Sequence, residues 1–101
     1  MNWKKVDAAV EFFVRNPFWR KFYENAPSEP CRRRVALDFY FSTFWDDAHE
    51  DEAFFREMEK TEAELGLEDW KYLLKYQGNN PGRVKIRKKI EELSGTQETG
   101  I

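Results

Sequence analysis

The chain of 101 residues holds one cysteine, Cys31, and one histidine, His49. A lone thiol excludes an internal disulfide framework, and a lone imidazole excludes a histidine-rich metal site or a conventional triad within one chain. Glycine and proline are few, at five and four, which leaves long stretches free to be helical. No run of about 18 apolar residues occurs, so no segment reads as a membrane span. The opening Met1-Asn2-Trp3-Lys4-Lys5 leads into an amphipathic pattern rather than a secretory signal, and the expected location is the cytoplasm. Strand-like alternation is nearly missing as well. Apart from Arg83-Val84-Lys85-Ile86 it occurs only within Leu37 to Trp45, and a strand without a partner leaves its backbone groups unpaired.

What the chain has in quantity is aromatic rings: nine Phe, four Tyr and four Trp, or 17% of all residues. Each ring can bury about 150–250 Å², so a handful fills a small helical core. Not all of them can be hidden by short helices, and the surplus is expected at a partner surface.

The stretch Val35-Ala36-Leu37-Asp38-Phe39-Tyr40-Phe41-Ser42-Thr43-Phe44-Trp45 carries the densest group of them. At 100° per residue its apolar side chains cover most of the helix circumference, with Asp38 and Ser42 as the polar strip. A helix apolar nearly all round belongs at the centre of a bundle, so Phe41 is expected in the core. The fold expected is therefore all-α: a compact single domain over 1–95, with five to six short helices around a central helix of about 28–46. A disordered tail is expected over 96–101.

Helical spacing runs through the rest. Trp3, Val6, Ala9, Val10 and Phe13 mark a first helix, and Asn16-Pro17 starts a second of about 17–25. Ser28 with Glu29 and Pro30 starts the central one. Asp47 followed by Glu50 has capping-box spacing for a helix of about 48–65, whose inward stripe reads Phe54, Phe55, Met58, Thr61 and Leu65. Gly66-Leu67 reads as its Schellman stop. Leu67, Trp70, Leu73 and Leu74 mark a fifth helix to Gln77, Asn79-Asn80-Pro81-Gly82 a turn, and Ile86, Ile90 and Leu93 a last helix of about 81–94.

Charge is segregated. Residues 1–45 sum to +3, 46–69 to −9, 70–90 to +7 and 91–101 to −3, within a total of −2. Successive blocks of opposite sign commonly face each other in a fold. Arg32-Arg33-Arg34 is expected to pair with the acids of 46–52 or to stay solvated.

Catalytic and metal-binding residues are not expected. Cys31 lies near a helix start beside three arginines, yet no base is placed to use it, and a partly buried cysteine is the expected state. Asp46 and His49, at i and i+3, resemble half of a helical di-iron ligand set, but such a site needs two motifs and two more glutamates. No cofactor is implied. The remaining expectation is a non-catalytic protein–protein interaction or regulatory module, with another protein or a second copy as partner. Its candidate contacts are Trp3, Trp19, Tyr23, Tyr72 and Tyr76. The alternative is a nucleic-acid binder of helix-turn-helix type, using Arg83, Lys85, Arg87, Lys88 and Lys89. Both candidate turn registers, around Gly66 and around Gly78, fit poorly. The last helix lacks an aromatic anchor, so a membrane surface is not an expected partner.

Overall fold

A computed structural model describes residues 1–77 and 82–94. Seven helices stand among them: α1 (Trp3–Phe13), α2 (Pro17–Glu24), α3 (Glu29–Thr43), α4 (Trp45–Ala48), α5 (Glu52–Ala63), α6 (Leu67–Gln77) and α7 (Gly82–Ser94). No strand occurs among the described residues, as the missing alternation requires. The chain divides into two compact units, Met1–Glu64 and Leu65–Ile101. Most of the expected turn at Asn79-Asn80-Pro81-Gly82 and the whole expected tail 96–101 lie outside the described residues.

In the first unit α3 is the axis. Cys31, Arg34, Val35, Ala36, Leu37, Phe39 and Tyr40 are buried along it, and α1, α2, α4 and α5 all pack on it. Its start follows from local chemistry: Ser28 Oγ accepts from the Cys31 amide at 3.2 Å, and Pro30 supplies a preset φ in the first turn. Its end comes earlier than residue 46. Phe44 leaves helical geometry (φ −119°, ψ 50°), and α4 is a separate single turn. Phe41 is half-buried rather than enclosed, because it faces the exposed Trp45 at 4.8 Å and Phe55 at 6.5 Å.

Caps divide the remaining helices. Asn2 Oδ1 accepts from Lys4 N and Asn16 Oδ1 from Phe18 N, each at 2.9 Å. Helix α5 begins at Asp51, not Asp47: Asp51 Oδ1 accepts from Ala53 N at 2.9 Å, while Asp47 is held by Lys5 Nζ at 2.7 Å. The inward stripe of α5 keeps Phe54 and Thr61 buried and Met58 partly so. Phe55, one residue and thus 100° from Phe54, turns outward and is 48% exposed.

In the second unit α6 packs on α7, with Trp70, Leu73 and Ile86 buried. Gly66 does not close α5 as a Schellman glycine. Helix α5 ends on Glu64 in right-handed geometry (φ −91°, ψ −6°), and Gly66 is instead the cap residue of α6. Its amide donates to Asp69 Oδ2 at 2.8 Å and its carbonyl accepts from Trp70 N at 3.1 Å. An acid three residues into a helix, reaching back to the cap amide, is one half of a capping box.

A Cβ built on Gly66 meets nothing nearer than Asp69 Oδ2 at 3.8 Å. Gly66→Ala is therefore expected to change stability by less than about 1 kcal/mol. Asp69→Ala, which removes the acceptor of the Gly66 cap amide, is expected to cost about 1–2 kcal/mol in chemical denaturation.

Candidate docking surface

Two exposed aromatic faces stand at opposite ends of α1. The first forms where α1 hands over to α2. Phe13 stacks on Phe39 with ring centres 4.4 Å apart and planes 4° from parallel, and Trp19 meets both edge-on at 5.8 and 6.0 Å. These inner rings anchor the corner. Their sequence neighbours turn outward: Phe12 is 60% and Phe18 50% exposed. Beside Phe12, at the α1–α2 junction, lies a groove of about 520 Å³, lined by Phe12, Phe13, Arg15, Asn16, Pro17 and Trp19. Its shape is held by the Asn16 cap and by Arg20 Nε donating to Val14 O at 3.0 Å. From Phe12 to Tyr23 the chain carries Arg15, Arg20 and Lys21 and no acid. All three are exposed, and neither Arg15 nor Lys21 has an ion-pair partner among the described residues.

The second face forms at α4 and the start of α5. Trp45 is 53% exposed and stacks on His49 at 4.8 Å; Phe41 links it to Phe55. Acids surround these rings: Asp46, Asp47, Glu50, Asp51 and Glu52. Two of them are answered from α1's side, Asp47 by Lys5 and Asp51 by the Met1 ammonium at 3.2 Å. Glu52 lies 3.3 Å from Arg56, and Glu50 3.8 Å from His49 Nε2. Asp46 is exposed and has no partner among the described residues. A hollow of about 320 Å³ opens here, lined by Thr43, Phe44, Trp45, Asp46 and Asp47.

The groups with catalytic chemistry are committed elsewhere. Cys31 is fully buried. His49 Nδ1 donates to Trp45 O at 2.7 Å and thereby closes the single turn of α4. No cluster of metal-ligating residues stands among the described residues. The three arginines are also absorbed, though not by the acids of 46–52. Arg33 reaches Glu64 at 3.0 Å, Arg34 Nε donates to Glu62 Oε2 at 2.9 Å with its Nη1 against Asp38, and Arg32 pairs with Glu29. Burial weighs against the Arg34 charge, but Asp38 and Glu62 more than offset it and hold the guanidinium above its ordinary pKa.

Of the residues expected at a partner surface, Trp3 is exposed at 46%, whereas Trp19 and Tyr23 are half-buried against Phe39. Tyr72 and Tyr76 are half-buried, their rings 4.9 Å apart. On α7, Lys85, Arg87 and Lys88 are exposed, and Arg83 and Lys89 are half-buried. Phe12, Phe18, Trp45 and Phe55 were not among the expected contacts. The signal for Phe12 was present, since it falls well off the stripe of Val6, Ala9 and Phe13 at 100° per residue.

No family model, no curated protein and no solved structure matches the chain. The faces themselves carry the functional reading.

Asp51 yields a pH test. Burial opposes its charge, but the Met1 ammonium and the amides of Ala53 and Phe54 outweigh that and leave its carboxyl below the ordinary range. A lowered carboxylate contributes stability that is full above its unfolded pKa of about 4 and is lost as pH falls through the folded value. The stability gap between the wild type and Asp51→Asn should thus be constant above about pH 5 and shrink toward pH 2. A gap that widens on acidification would show that Asp51 is not held ionised.

Proposed function

We propose that the chain is a non-catalytic protein–protein interaction module whose docking surface is the exposed aromatic corner between α1 and α2. The observation that carries this reading is the exposure of Phe12 and Phe18 at a groove whose floor is the half-buried Phe13 and Trp19, packed on Phe39. Apolar rings left in water on a rigid base, with cationic neighbours, have the composition of interface hot spots. The concealed thiol and the histidine tied to the backbone support the non-catalytic part. A free cysteine suits a reducing compartment, and a cytoplasmic location belongs to the same proposal. No helix among the described residues is long and apolar enough to cross a membrane.

A second reading, nucleic-acid binding by α7, draws on the exposed Lys85, Arg87 and Lys88. It has its own signature, because phosphate contacts release counterions and affinity falls steeply with salt.

Affinity capture from the source cells, with the wild type beside Phe12→Ser/Phe18→Ser, tests the first reading. A captured protein that the variant loses is the expected result, and capture unaffected by the two changes would overturn it. In parallel, wild type and Arg87→Ala/Lys88→Ala are titrated with a random duplex between about 50 and 200 mM salt. Duplex binding lost in the variant and on adding salt would move the function to α7.

A further inference from the structure

We propose that the two aromatic faces of the first unit recognise each other between copies, so that the chain associates with itself head to tail. This rests on the reading of the α1–α2 corner as a docking surface and names its occupant.

The faces are complementary in charge and in chemistry. The α1–α2 groove has apolar walls with Arg15 in its lining, and Arg20 and Lys21 are exposed on the adjoining α2. The α4–α5 face offers the exposed indole of Trp45 and the ring of Phe55, with Asp46, Glu50 and Glu52 around them. Arg15 and Asp46, neither with an ion-pair partner among the described residues, match in charge, and the groove of about 520 Å³ has room for an aromatic side chain such as Trp45. Face-to-same-face pairing would bring Arg15 and Lys21 against their own copies, or Asp46 against Asp46, and like charges oppose that. Pairing of unlike faces removes the repulsion and covers apolar rings on both sides.

Geometry allows the same copy to use both faces at once. The acidic face is joined to the N-terminal end of α1 through Met1 and Lys5, whereas the basic groove is built on its C-terminal end at Phe12 and Phe13. The 11 residues of α1 span about 16 Å between them. Contacts between unlike faces are heterologous, giving an open chain or a closed ring rather than a twofold dimer. Exposed rim charges make the association salt-sensitive.

Sedimentation velocity on the full chain tests this. The wild type should gain mass from micromolar to millimolar concentration, and the association should weaken several-fold between about 50 and 500 mM salt. Phe12→Ser/Phe18→Ser blocks one face and Trp45→Ser/Phe55→Ser the other. Each should be monomeric alone, and an equimolar mixture should form a discrete dimer, because one intact groove and one intact acidic face remain. Charge reversal gives a second test that spares the rings. Arg15→Glu/Lys21→Glu and Asp46→Lys/Glu50→Lys should each stay monomeric and should co-assemble when mixed. A wild type that remains monomeric throughout would overturn self-association. If capture of another protein were still lost with Phe12 and Phe18, that outcome would leave the docking surface standing with a different occupant. Self-association that survives either blocked face, or a mixture that stays monomeric, would overturn the head-to-tail arrangement.

Discussion

The first unit depends on one buried ionic contact. Arg34 sits in the middle of α3 with only 8% of its surface exposed, and it bridges Asp38 on its own helix and Glu62 on α5. The Glu62 side chain is 9% exposed. An isolated charge so placed is costly, and a buried pair repays that cost only when its geometry is good. The contact therefore does more to specify than to stabilise. It sets which turn of α5 lies over which turn of α3, and Phe54 then falls against Tyr40 and Phe41 at 5.5 Å from each.

From that register the surface follows. With Phe54 turned inward, Phe55 must turn outward and joins Phe41 and Trp45 on the acidic face. On the other side of α3, Phe39 receives Phe13 and Trp19, which sends Phe12 and Phe18 to solvent. The exposed rings are thus the consequence of a core already filled by their neighbours. Alternation of an inner, wholly or half-buried ring with an exposed one, Phe13 with Phe12, Trp19 with Phe18 and Phe54 with Phe55, is what the aromatic surplus becomes in three dimensions.

Much of this was legible in the residues and some was not. The all-helical class, the central place of the Val35–Tyr40 stretch and the caps at Asn16 and Ser28 follow from local rules of spacing and hydrogen bonding, which need no distant partner. The misplaced starts and stops share a different cause. Asp47 has capping spacing but is taken by Lys5, 42 residues away, and Gly66 serves the following helix because Asp69 reaches back to it. The arginine cluster likewise pairs with Glu62 and Glu64, around 30 residues downstream, by a packing register that spacing alone does not supply. For the candidate site, a ring outside the helical stripe was a readable sign of exposure at Phe12. Phe55 was not readable, since two adjacent phenylalanines compete for one stripe and only α3 decides between them.

The most direct test of this organisation is a double-mutant cycle on Arg34 and Glu62 followed by chemical denaturation. Arg34→Met alone should cost about 3–5 kcal/mol by removing the guanidinium charge that faces the buried Glu62 carboxylate and that of Asp38, and adding Glu62→Leu should recover part of the loss. A single Arg34→Met change costing less than about 1 kcal/mol would contradict the buried bridge, and with it the register that turns Phe55 and Trp45 outward.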